Sequence, residues 1–169
     1  MRLEKRVYDL LNEQMNREFQ ASNTYLQMGA WAENNDLTGC AKFLYKHSEE
    51  EKEHMRKIFD YILERSVHPK IENIPAPTTD YKDVKELFDT VYKEEKDVTD
   101  SIHKIAHEVW EKKDLATFSF LQWFIDEQRE EEALATEIVG KIKIIGTQGQ
   151  GLYMIDEFVG SKAEESNSH

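Results

Sequence analysis

The 169-residue chain is 39% hydrophobic and 33% charged, a composition that suits one water-soluble domain with a sizeable core. Its 22 basic and 34 acidic residues give a formal net charge of −12, which repels nucleic acid and attracts cations. The single cysteine, Cys40, excludes an intrachain disulfide. There is no signal-peptide core and no apolar run of membrane-spanning length, so a cytoplasmic protein that engages neither nucleic acid nor membrane is expected.

The first predicted helix runs from about Leu3 to Asn34. Leu3, Val7, Leu10, Ala21, Tyr25, Met28 and Ala32 recur at spacings of three and four, the stripe of an amphipathic helix. Gln14 and Glu18 fall on that stripe. Asn34-Asn35-Asp36 breaks the pattern, and Thr38 is the expected cap of the second helix, from Thr38 to Arg65. The second stripe is Cys40, Leu44, His47, Glu51, His54, Ile58 and Tyr61, with three consecutive polar members. The third helix spans Lys82 to Lys112, with Val91, Glu95 and Val98 in phase. The fourth spans Leu115 to Ile145, with Ile125, Gln128 and Ala135 in phase and Glu131 one turn past Gln128.

All three prolines lie between Ser66 and Tyr81. A helix of about 28 residues is roughly 42 Å long, and sixteen extended residues reach roughly 50 Å. This connection therefore has the length to cross the whole bundle and make the second and third helices parallel, whereas the short turns of the other two connections make antiparallel hairpins. The expected fold is all-α, a four-helix bundle with one long crossover. Gly146 to Gly151 is a turn-rich break, followed by a short apolar helix from Leu152 to Val159. That helix has no place left in a four-helix core and is expected to dock on another chain. One domain over residues 1–160 and a flexible tail over 161–169 complete the expectation.

Glu51 and His54 stand one turn apart and point the same way from their helix, so together they grip a cation from one side. Glu18, Glu51, Glu95 and Gln128 each sit near the middle of a helix. Mid-points of packed helices of equal length lie at one level, so these residues and His54 converge. Burying several carboxylates together demands positive charge, and carboxylates with one imidazole and one amide suit iron or manganese better than structural zinc. Glu50, Glu127, Glu130 and Glu131 form a second acidic group, read equally as a further cation position or as a solvated face. His47 reads as a core or supporting histidine, and His103 and His107 as a surface pair. Tyr25 and Trp123 read as core aromatics, well placed to donate an electron to a redox metal.

The stretches LNEQMNREFQASNTYLQM, HSEEEKEHM, FSFLQWFIDEQREEE and GQGLYMIDE resemble bacterial non-haem ferritins over nearly the whole chain. The resemblance implies iron storage and a ferroxidase that oxidises Fe(II) with O₂ or H₂O₂ at a di-iron centre. It assigns Glu18 and His54 to the first iron, Glu51 to the bridge, and Glu95 and Gln128 to the second. It gives Glu50, Glu127, Glu130 and Glu131 to a third iron position, and sets Tyr25 and Trp123 beside the centre. It further implies a homo-oligomeric shell of 24 subunits with octahedral symmetry, the fifth helix lining its four-fold axes. The related haem-containing bacterioferritins carry a second Glu-x-x-His and a methionine after the bridging glutamate. Here those positions read Glu127-Gln128-Arg129-Glu130 and Lys52, so no haem is expected. A rubrerythrin needs a cysteine-rich segment that one cysteine cannot form. A DNA-protecting mini-ferritin lacks the fifth helix.

Overall fold

The structure, a computed structural model, describes residues 2–165. Five helices and no strand are present among them: α1 (Lys5–Asn34), α2 (Thr38–Glu64), α3 (Val84–Glu111), α4 (Leu115–Ile145) and α5 (Gln150–Glu165). None is long and apolar enough to cross a membrane. The expected four-helix bundle with a fifth helix is the fold observed.

The crossover lies along α1. Near its start the Tyr8 hydroxyl donates to the His68 carbonyl at 2.9 Å. Asn12 then pairs twice with the Lys70 backbone, at 3.1 and 2.8 Å, and Asn16 accepts from the Glu72 amide at 2.9 Å. At the far end Tyr81 packs edge-on against Trp31. Tyr8 and Trp31 are separated by about 35 Å of helix at 1.5 Å per residue, so the segment travels nearly the length of the bundle. α3 consequently starts where α2 starts and runs parallel to it.

Three helix ends share one device. Leu37, Val67 and Asp114 each donate to a carbonyl five residues back, and Asp36, Ser66 and Lys113 each donate to one three residues back. Those last three residues all have φ of 60°. This is the Schellman arrangement, which normally uses glycine at the left-handed position.

The α2 N-terminus is capped from a distance. Thr38, the expected cap, is the first helical residue, and Leu37 at the cap position makes no side-chain bond. Asp156 of α5 instead accepts from the amides of Gly39 at 3.1 Å and Cys40 at 2.8 Å, satisfying two donors that a helix start leaves open. α5 therefore docks on its own chain, which corrects the expectation that it has no place there. Ile155, Val159 and Ala163 are buried in the core formed with α1, α2, α3 and α4. Gly160 and Gly39 meet backbone to backbone, and a Cβ on Gly39 would overlap the Asp156 carbonyl. The helix also runs beyond its expected end at Val159. The tail expected from Ser161 is helical as far as Glu165, and residues 166–169 lie outside the described residues.

The interior is divided. One apolar cluster holds Met28, Leu44, Leu87, Phe88 and Ile138 together with the buried face of α5. A second holds Leu11, Met15, Ile58, Ile62, Ile105 and Leu121. Between them lies a polar layer, buried in its turn, that contains Glu18, Glu51, His54, Glu95 and Gln128.

Candidate metal centre

Each helix brings its mid-length polar residue to this layer because the apolar stripe on either side is committed to a core. Glu18 lies between Met15 and Tyr25, Glu51 between Leu44 and Ile58, Glu95 between Val91 and Ile102, and Gln128 between Phe124 and Ala135, all buried. Across the α1–α2 seam, Ser22 and Ser48 each donate to the other's carbonyl, at 2.8 and 2.7 Å, which fixes the level at which Glu18 faces Glu51.

The residues gather in three linked groups. In the first, His54 Nδ1 lies 3.3 Å from Glu51 Oε2 and 3.9 Å from Glu18 Oε2. In the second, the Tyr25 hydroxyl donates to Glu95 Oε1 at 2.6 Å and the Gln128 amide donates to Glu95 Oε2 at 3.1 Å. In the third, His47 Nε2 lies 3.0 Å from Glu131 Oε2 and 4.0 Å from Glu50 Oε2. The first and third groups each bring three ligand atoms within 4.8 Å of one another.

The remaining expected residues frame these groups. Glu127 sits at the edge, its Oε1 3.9 Å from His54 Nε2. Glu130 is exposed and lines, with Glu50, Glu127 and Glu131, a cleft of about 730 Å³ between α2 and α4. Trp123 meets the His54 ring edge-on at 5.2 Å. His103 and His107 are both exposed, as a surface pair should be.

Two residues, one beside these groups and one within them, do more than their sequence pattern announces. Gln14 donates to Glu18 Oε1 at 3.0 Å and accepts from Ser101. Its one signal in the chain is its place on the stripe, a turn before Glu18. His47, legible as a supporting histidine, has a carboxylate partner in Glu131, and nothing in the chain links two residues 84 positions apart.

The electrostatics are those of crowded, buried acids. Burial, then the Glu51 charge, push the Glu18 carboxyl well above its ordinary range, and burial likewise raises Glu51. Burial and the Glu131 charge push Glu95 up to about 7 against the donors Tyr25 and Gln128. Burial together with the neighbouring Glu95 charge also raises the Tyr25 phenol. Burial opposes charge on His47, but Glu131 outweighs it and the imidazole rises to about 9. Among the described residues, Glu18 Oε2 is the one buried side-chain polar atom without a hydrogen-bond partner. An orphaned carboxylate oxygen beside a second carboxylate and an imidazole is a donor set suited to a cation.

A buried layer of carboxylates and histidine between two halves of a four-helix bundle defines a class of helical metal proteins. The ferritin-like domain family matches residues 8–145. A probable bacterial non-heme ferritin-like protein of Haemophilus influenzae is 44% identical, covering 94% of this chain and 96% of its own. The bacterial non-heme ferritin of Campylobacter jejuni is 41% identical, covering 93% and 94%. An open pore ferritin from the archaeon Archaeoglobus fulgidus superposes with a TM-score of 0.90 at 32% identity, covering 94% and 96%. The chain belongs to the ferritin-like family and, within it, to the bacterial non-heme ferritins.

Proposed function

We propose that this iron-storage protein is a ferroxidase whose polar layer binds a pair of Fe(II) ions and oxidises them. The observation that carries the reading is Glu18 Oε2, buried and orphaned beside Glu51 and His54. Glu18 and His54 hold the first iron, Glu51 bridges, and Glu95 and Gln128 serve the second. Entry of two divalent cations displaces the protons that burial keeps on Glu18 and Glu51. Each Fe(II) gives one electron. The pair reduces O₂, with two protons, to hydrogen peroxide, or reduces hydrogen peroxide to water. The carboxylates then favour Fe(III) by charge. The Tyr25 phenol donates to Glu95 at 2.6 Å; where a single Fe(II) meets hydrogen peroxide, Tyr25 supplies the second electron of its reduction to water while the phenol proton passes to that carboxylate.

Glu50, Glu127, Glu130 and Glu131 supply a third iron position in the cleft, through which Fe(III) leaves for storage. The storage form is a closed shell of like subunits, 24 with octahedral symmetry, in the cytoplasm. Support for assembly comes from the α4–α5 end, where Ile144, Tyr153 and Met154 are exposed at 81%, 67% and 54%. Such a patch stays soluble when a symmetric contact covers it.

Stopped-flow absorbance after mixing Fe(II) with oxygenated protein tests the reading. Wild type should oxidise two Fe(II) per subunit in a fast phase. Glu51→Ala and His54→Ala should slow that phase by at least about a hundredfold, since each removes a direct ligand. A fast phase that survives both substitutions would place the chemistry elsewhere.

A further inference from the structure

We propose that Gln14 is a positioning residue for the metal centre: held by Ser101, it occupies Glu18 Oε1 and leaves Oε2 alone to face the cation. The inference deepens, and rests on, the reading of the polar layer as a metal centre.

The place of Gln14 in the fold calls for an apolar side chain. It is 1% exposed and lies on α1 beside the buried Leu10, Leu11 and Met15. A buried amide is costly unless its polar atoms are bonded, and here the bonds are directional. An ionised carboxylate only accepts hydrogen bonds, so the amide turns Nε2 to Glu18 Oε1, one helical turn on, at 3.0 Å. That leaves Gln14 Oε1 for the Ser101 hydroxyl of α3, which donates to it. Turning the amide over would set its carbonyl against the carboxylate. Ser101 thereby fixes the amide, and the amide fixes Glu18.

The consequence falls on the other carboxylate oxygen. Oε2 is the buried atom without a partner, and it lies 3.9 Å from His54 Nδ1. That is within the span of two ligands on one cation, at most about 4.2 Å for bonds of about 2.1 Å. Glu95 is the contrast: Tyr25 takes one of its oxygens and Gln128 the other. Glu18 therefore meets an ion through one prepared oxygen, with no hydrogen bond to give up. Partners that orient a ligand in this way typically account for about tenfold to a hundredfold in metal affinity.

Anaerobic titration of Co(II) into the intact metal-free protein, read by visible d–d absorption, tests this without iron oxidation. The bands absent from Glu18→Ala mark the ion that Glu18 holds. Gln14→Met, close in size, should shift those bands, because Glu18 is then free to turn or to bind through both oxygens. It should also hold that ion about tenfold more weakly. Unshifted bands, whatever the affinity, overturn the proposal and leave the metal centre standing. A wild-type spectrum in Glu18→Ala overturns both. Ser101→Ala, at a half-buried position, is a second variant that serves even if Gln14→Met does not fold. It should shift the same bands, and adding Gln14→Met should shift them no further than Gln14→Met alone. No shift with Ser101→Ala, or shifts that add in the double variant, contradict the linkage from Ser101 through Gln14 to Glu18.

Discussion

Glu95 and His47 make the metal-free protein sensitive to pH in one direction. The folded Glu95 carboxyl titrates at about 7 against an ordinary 4.5. As pH rises between those values the unfolded chain loses its proton first, so stability falls there. His47 is raised from 6.5 to about 9. The stability it contributes is complete below 6.5 and is lost as pH rises through 9. A tenfold difference in proton affinity between folded and unfolded chain is worth about 1.4 kcal/mol, so each group loses on the order of a few kcal/mol. Calorimetry with a chelator present should show the unfolding temperature declining from pH 5 to pH 9. A bound divalent cation replaces the protons and should flatten the decline. A metal-free profile that rises over this range contradicts the pKa directions.

The same crowding of acids governs substitution. Glu51→Ala removes one of two buried carboxyls that face each other, so metal-free stability should stay level or rise by about 1 kcal/mol although oxidation is lost. Denaturant unfolding checks it, and a clear loss of stability would mark Glu51 as structural. Glu18, Glu51, His54, Glu95 and Gln128 are legible in the sequence because each keeps phase with apolar neighbours on its own helix. The partnerships of Gln14 with Ser101 and His47 with Glu131 are not, because they join residues 87 and 84 positions apart on different helices, and one helix's periodicity says nothing of what faces it.

At the level of the elements, the lengths of the four bundle helices are legible from periodicity, but that of α5 and the devices that end and seat the helices are less so. Asp36, Ser66 and Lys113 occupy a left-handed position that glycine usually marks. Lys113 is exposed, and Lys113→Gly should relieve backbone strain and stabilise the α3–α4 turn by about 0.5–1 kcal/mol. A rise in the unfolding midpoint checks this, and a fall contradicts the strain.

The docking of α5 is hidden from the sequence for a similar reason. Its cap partner on α2 lies 116 residues away, and its apolar residues split between an inward face and an outward patch. Gly39→Ala places a methyl group against the Asp156 backbone. It should loosen α5, detected as faster amide exchange across 150–165, while the four-helix bundle stays folded. Unaltered exchange there would mean that the close approach is not needed.

On the scale of the whole molecule, the topology follows from the length and proline content of one connection, and the site from equal helix lengths. Two apolar clusters flank one polar layer, so the bundle is stable on either side of a layer that is costly to keep without cations. That arrangement explains how a storage protein holds an open ligand set before iron arrives. The proposed assembly would draw on a different surface, the exposed Tyr153 and Met154. Met154→Glu should shift sedimentation from a large closed particle to small species while near-ultraviolet circular dichroism keeps the folded signature. A particle of unchanged size would remove this patch from the interface.

The use proposed for the buried acids that two apolar clusters hold in place is the binding of metal. Anaerobic calorimetric titration of Fe(II) into metal-free protein measures that use without the complication of oxidation. Wild type should take up at least two Fe(II) per subunit with release of protons, and Glu51→Ala, folded and assembled, should lose the two tightest. Wild type that binds no Fe(II), or a variant that binds it as wild type does, would mean that the polar layer serves some other purpose.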